Sequence, residues 1–384
     1  MSGTTESTAV RITGYGVLSA AGVGGKALYE AVRSGALPLG DDGAQALDGQ
    51  PAPPGVRLLP VPDFEPREHL GRKGLRALSR TTTLGMVAAE LALAGLPEPG
   101  RPGERADTGV VLGTSTGSAR AFAEFFRESY VAERPYLVSP ALFPGLLLNH
   151  GASQVAMRHS FTGLNASLAG GQISALSALR YARNALLTGR AARLLTGGVE
   201  ELSAHTAWAW QRGGALGERP ALGEGSAVFV METADDGTGR APGGSLAELA
   251  ACEVAFTPLD EGPHAVAAAL ARCVEDALRA GGAEPGDIGV VSAGASSGPG
   301  WSAVEARGRR RALAGHEPEV LRVQDVLGET YSASGALQLA ALLAHWEDGA
   351  PAAAGGAADW GLVTSVGHDG SVGAALLRRS SATG

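Results

Sequence analysis

Two stretches far apart in the chain, DTGVVLGTSTG at 107–117 and DIGVVSAGASS at 287–297, share Asp, Gly, Val and Val in register. Each reads as a buried strand ending in a loop of small residues, because a short apolar run bounded by turn residues suits a strand covered on both faces. Each also follows a helix-like Ala/Leu run, TTTLGMVAAELALAGL before the first and AVAAALARCVEDALRAGG before the second. One unit has been used twice, and the fold must be a doubled one. The seam falls at TADDGTGRAPGG (233–244), a Gly/Asp/Pro stretch without apolar periodicity. This divides the chain into halves 1–236 and 237–384.

Further strands are expected at AVRITGYGVLSA near the start, AARLLTGGVE (191–200), SAVFVME (226–232), LAELAACEVAF (246–256) and GLVTSVG (361–367). Strands alternating with helices favour a parallel or mixed sheet with helices on both faces, an α/β architecture. The Pro- and Gly-rich segment 41–68 is expected to wrap the surface as a long loop. Segment 133–163 is unusually apolar for a connection, which places it in an interface or along a cavity.

At 384 residues, 45% hydrophobic and 18% charged, the chain is long enough for two well-filled halves. A net charge of −8, with no basic block interleaved with aromatics, argues against nucleic acid as a partner and gives no attraction to an anionic membrane. The N-terminal MSGTTESTAV lacks the basic start and apolar core of a secretion signal, and no apolar run approaches the roughly 20 residues that span a bilayer. A cytoplasmic location is expected. The two cysteines, Cys252 and Cys273, form no CxxC pattern and have no His cluster nearby, so no metal site is expected and both read as small buried hydrophobes.

The segment GLNASLAGGQISALSALRYARNALLTG (163–189) reads as strand, Gly-Gly turn and amphipathic helix. Such an elbow lifts one residue above the sheet and aims the free N–H groups of the helix start at whatever reacts there. Enzymes put Ser or Cys at this point. Here it is Gln172, whose amide only donates and accepts hydrogen bonds.

Taken together, VRITGYGVLSAAG, TGVVLGTSTG, LLTGGVEELS and LGEGSAVFVME (222–232) resemble, in order, the motifs of the β-ketoacyl synthases of fatty-acid and polyketide biosynthesis. The resemblance covers nearly the whole chain and implies a thiolase fold: two similar halves stacked as five layers, αβαβα, in an obligate dimer. It also implies where the catalytic groups would stand. The nucleophilic Cys falls on Gln172, with Ser174, Leu176, Ala178 and Leu179 keeping register; the first His falls on Gly294, with Pro299 and Glu305 holding the alignment; the second falls on Glu329, and a Lys on Gln324. The closing Gly-Phe-Gly-Gly loop becomes Gly367, His368, Asp369 and Gly370, with His368 at the gating Phe.

A thiolate is needed to hold the growing chain, and donors are needed to stabilise the enolate formed when the extender loses carbon dioxide. Gln172 offers no thiolate, Gly294 no donor, and a Glu329 carboxylate would repel the enolate. The resemblance therefore implies no catalytic residue and no cofactor. Gln at the nucleophile position is similar to two kinds of relative: chain-length factors, which pair with an active ketosynthase in type II polyketide systems, and decarboxylating loading domains, which generally keep both His residues. With neither His present, the chain-length factor is favoured, with an active ketosynthase as heterodimer partner and an acyl carrier protein reached through the complex. A transferase or cyclase that recruits His368, Asp369 and Glu329 stays as a further alternative. By the same resemblance, Ala119, Phe122 and Phe126, spaced along one helix face, would restrict the acyl tunnel at the interface. His150 and His159 would lie near that interface as structural residues, and FTGLNASL would pair with the partner's equivalent strand.

Overall fold

The computed structural model describes residues 9–38, 44, 46–47, 49–96, 104–218, 220–233, 244–348 and 359–380. The proposed boundary at 236/237 lies outside the described residues. Ten strands follow one another along a single sheet path: β1 Val10–Ser19, β2 Thr108–Gly113, β3 Asn165–Leu168, β4 Arg193–Glu200, β5 Gly225–Thr233, β6 Ala247–Phe256, β7 Ile288–Ala295, β8 Glu319–Arg322, β9 Trp360–Val366 and β10 Ser371–Arg379.

The duplication is explicit in the order. The first half runs β3-β2-β4-β5-β1 and the second β8-β7-β9-β10-β6. In each half the three strands at the outer edge are parallel and the remaining pairings antiparallel. The halves meet where β1 pairs with β6 through Arg11↔Glu248 and Ile12↔Ala247.

Eight helices matter here: α1 Arg80–Leu93, α2 Ala119–Val131, α3 His150–His159, α4 Ser174–Leu187, α5 Ala204–Gly213, α6 Gly262–Gly281, α7 Trp301–Ala312 and α8 Ser334–Asp348. Helices α4 and α8 lie in the middle, since their buried residues, among them Leu176, Leu179, Leu337 and Leu342, share one cluster with strands of both halves. Helices α1 and α3 pack outside the first half and α6 and α7 outside the second. The result is five layers, helix, sheet, helix, sheet, helix. Helix α8 is buried along almost its whole length, which accounts for a sequence, SGALQLAALLAHW, that is apolar on every side.

Two expectations need correction. Segment 41–68 does more than wrap the surface: Arg57–Leu59 forms a strand parallel to Ala221–Gly223, and Leu58 and Leu59 are only 1% exposed, because their apolar side chains fill space beside the sheet. Two strands, Glu319–Arg322 and Ser371–Arg379, were also missed by periodicity, the first for its shortness and the second because its first seven residues are all buried and do not alternate.

Candidate functional site

The elbow is present. β3 ends at Leu168, a tight turn covers Gly171–Ile173, and α4 starts at Ser174. Gly171 has φ +60°, and a Cβ there would stand 3.0 Å from Asp369 Oδ2 and 3.3 Å from Tyr331 Oη, so only glycine suits both the conformation and the space. Ser174 Oγ accepts the Gly170 N–H at 2.9 Å and donates to the Gly171 carbonyl at 2.7 Å, which fixes the turn. Gln172 is wholly buried, and neither its amide nitrogen nor its oxygen has a hydrogen-bond partner.

Gly294, where the resemblance implies a His, is closed in a specific way. A Cβ there would come within 2.2 Å of Oε1 of Gln338, whose amide nitrogen donates to the Ser292 and Thr364 carbonyls at 2.9 and 2.7 Å. Gln338 occupies the volume that a side chain at 294 would need. The Gly294 N–H donates to Glu305 Oε1 at 2.9 Å, and burial holds the Glu305 carboxyl above its ordinary range.

Glu329 is buried and saturated. Its Oε2 accepts from Ser296 Oγ at 3.1 Å and the Ser297 N–H at 2.9 Å; its Oε1 accepts from Gln324 Nε2 at 3.2 Å and the Tyr331 N–H at 2.9 Å. Its own backbone pairs with Ala221 and Gly223. The carboxylate clamps residues 296–297 and Gln324 to its own turn at Tyr331, and the Glu329 backbone adds 221–223. The clamp also holds Tyr331 at φ +45°, a conformation that a bulky residue adopts only when its surroundings impose it.

Tyr331 in turn packs with two other rings. Trp210 on α5 lies 5.2 Å from Tyr331 and 5.1 Å from His368, and Tyr331 and His368 are 6.0 Å apart. Burial pushes the Tyr331 hydroxyl up to about 12, with Asp369 adding to it. Gly367 abuts Gln172, since a Cβ on it would be 3.2 Å from Gln172 Cβ, and Asp369 Oδ1 accepts from the Ser371 N–H at 3.0 Å and Oγ at 2.6 Å. The structure thus brings Gln172, Gly294, Gln324, Glu329 and the Gly367–Asp369 loop into one site. Sequence reasoning missed Trp210, Tyr331 and Gln338. The last had a visible signal, one amide in an otherwise apolar helix, because a buried amide must find partners.

Two adjacent buried carboxylates serve the site from below. Glu200 accepts from Ser332 Oγ, Thr116 Oγ1 and the Ser115 N–H, and burial raises it to about 7. Glu201 accepts from Thr81 N–H and Oγ1, Ser118 Oγ and the Arg120 N–H. Ser118 also caps α2, taking the Ala121 N–H at 3.2 Å. Glu201 therefore anchors the start of the helix that carries Ala119, Phe122 and Phe126.

That helix is not core. Phe122 is 53% and Phe126 41% exposed in the chain by itself, with ring centroids 4.5 Å apart, and Phe125 and Phe143 extend the aromatic group. Among the described residues, ten of the fourteen exposed large apolar side chains lie between 122 and 157, which concentrates uncovered apolar surface on α2 and the connection after it. His150 is held by Thr82 Oγ1 and Gln154, and His159 stacks on Phe161.

Cys252 and Cys273 are buried, and burial pushes their thiols up to about 12 and about 11, which disfavours a thiolate at either. Among the described residues no group of three or more His, Cys, Asp or Glu is placed to hold a metal ion, and no helix is long and apolar enough to cross a membrane.

The N-terminal domain of β-ketoacyl synthases matches residues 7–249 and the C-terminal domain residues 246–353. The chain is 28% identical over 376 residues to actinorhodin polyketide β-ketoacyl synthase 2 of Streptomyces coelicolor, covering 93% of this chain and 89% of that protein. It superposes on a chain of the ishigamide ketosynthase/chain length factor with a TM-score of 0.76 and 33% identity, over 97% of this chain and all of the other. A chain from the complex of a type II polyketide acyl carrier protein with its hexaketide-bound ketosynthase, AntDE:AntF, shares the fold at a TM-score of 0.76 and 15% identity, again over 97% of this chain and all of the other. With the thiolase fold in place and both domains matched, the chain belongs to the β-ketoacyl synthase family.

Proposed function

We propose that this chain is a catalytically silent chain-length factor: it pairs with an active ketosynthase of a type II polyketide synthase and supplies part of the wall of the acyl tunnel. The observation that carries this reading is the state of the three positions where condensation would be performed. Gln172 cannot form a thioester, Gly294 is filled from behind by Gln338, and all four donors around Glu329 are spent on holding the fold. Tyr331 and Asp369 close over the turn at Gly171.

A partner is supported by the uncovered aromatic face of α2 and by β3, which among the described residues ends the sheet with an unpaired edge that a partner strand can continue. The ishigamide protein is a ketosynthase/chain length factor, which fits a heterodimer here. The AntDE:AntF complex holds a carrier protein on its ketosynthase, and by this reading a carrier protein reaches the present chain through its partner in the cytoplasm.

The experiment is to offer the purified chain acyl- and malonyl-carrier thioesters. Neither stable acylation nor loss of carbon dioxide above background is expected. Decarboxylation abolished by Gln172→Ala would instead favour a starter-forming decarboxylase, in which the unpartnered Gln172 amide binds the malonyl carboxylate.

A further inference from the structure

Glu201 joins the beginnings of two helices. Ser79 is the N-cap of α1 and Ser118 that of α2, so Thr81 and Arg120 hold the same place, the second residue, in each. The first N–H groups of a helix find no partner within it. Glu201 Oε2 accepts the Thr81 N–H at 3.1 Å and Oε1 the Arg120 N–H at 3.2 Å, so one buried carboxylate takes the same orphaned donor from both. The positive ends of both helix dipoles meet on it.

Side chains tighten the tie. Ser118 Oγ stands 3.1 and 3.0 Å from the two Glu201 oxygens and accepts the Ala121 N–H, while Thr81 Oγ1 donates to the Gly117 carbonyl at 2.6 Å. Gly117 immediately precedes the cap of α2, so the chain enters that helix pinned to α1.

The two helices depend on this tie unequally. Ten of the fourteen residues of α1 are buried, and core packing holds it in place. No residue of α2 is buried, and beyond its first turn the helix is held by surface contacts such as Phe125 against Phe143. A polar anchor at one end does for α2 what core packing does for α1. Phe126 lies about 10 Å along the axis from that end, so a tilt of about 10° at the anchor would carry it sideways by roughly 2 Å. That distance is enough to admit or exclude a methylene group in a close-packed wall.

We propose that Glu201 is a positioning residue for product length: it fixes the start of α2 against α1 and so sets where Ala119, Phe122 and Phe126 stand in the tunnel wall. The proposal rests on the chain-length reading and names the side chain through which that reading is enforced.

The test uses the complete chain copurified with its ketosynthase, supplied with carrier protein and malonyl extender, with products sized by mass spectrometry. Glu201→Gln keeps the shape but leaves one acceptor for two helix starts; Ser118→Ala removes one of the donors to Glu201 and should fold even if the first variant does not. Each is expected to raise the share of products that differ in length from the parent's by about three-fold or more. Amide exchange in the first turn of α2 should quicken at least about ten-fold, with that of α4 unchanged. Val274→Ala, a core truncation in the second half, lowers the melting temperature without touching α2 and should leave product lengths as they are. Parent product lengths in both variants, with Phe122→Ala altering them, would overturn the positioning role and leave the chain-length reading standing. Parent lengths in all three would overturn both. A shift in Val274→Ala as large as in Glu201→Gln would trace the effect to lost stability alone and overturn the assignment.

Discussion

Glu200 lies sealed beneath the elbow, and its protonation is linked to folding. Burial raises its carboxyl to about 7, whereas the unfolded chain releases that proton near 4.5. Between these values the folded state binds more protons, so the stabilising contribution is full below the window and is lost as pH rises through it; above about 7 both states are ionised and the slope vanishes. Glu201 and Glu305, also raised by burial, act in the same sense. Glu200→Gln is expected to reduce the stability difference between pH 5 and pH 7 by about 2 kcal/mol, read from urea unfolding at each pH. An unchanged difference would mean that Glu200 is ionised in the fold, held so by Ser332, Thr116 and Ser115. At the neighbouring Gly294 the constraint is volume rather than charge: the Gln338 amide stands where a Cβ would go, so a side chain at 294 requires Gln338 to give up its hydrogen bonds to Ser292 and Thr364 and move.

Helix α2 is the element on which product length is expected to depend. Phe122 and Phe126 stand clear of the core in this chain, so a Phe122→Ala change removes little buried surface and should cost the isolated chain less than about 1 kcal/mol, far below the roughly 3–5 kcal/mol of a core Phe truncation. In the heterodimer the same change should open room for about two or three methylene groups and lengthen products at similar turnover. Ala119→Phe should shorten them or stop elongation by overpacking. The checks are the product distribution and the melting temperature of the pair. An unaltered distribution with a large fall in melting temperature would make Phe122 an interface packing residue and remove it from the tunnel wall. Phe125 and Phe143, which contact the same aromatic group, belong in the same mutation series.

At the scale of the whole molecule, an uncovered apolar surface on one face and an unpaired sheet edge call for a partner. The expected outcome is a tight 1:1 complex with a ketosynthase that retains its Cys and both His residues, burying more than about 2,000 Å² in the manner of obligate interfaces. Coexpression followed by copurification and light scattering measures it. A monodisperse monomer that ignores every ketosynthase offered would count against the assignment, because surface of this composition seldom stays bare in solution.

The doubled architecture could be read from the chain alone, since buried parallel strands and amphipathic helices carry local signatures and the two copies retain theirs. Gln172, Gly294, Gln324 and Glu329 were singled out by the resemblance of the motifs around them, and that motif order could be read along the chain. What surrounds these four residues was not legible. Gln338 reaches Gly294 from another helix, Trp210 and His368 meet Tyr331 from opposite ends of the chain, and Arg57 comes to Gln324 from a segment read as a surface loop. Periodicity gives the face on which a side chain lies, but the side chain that fills a vacated volume is decided by close packing among distant segments. The exposure of Phe122 and Phe126 is of this second kind, because an apolar stripe at helical spacing reads the same whether it meets the chain's own core or a partner.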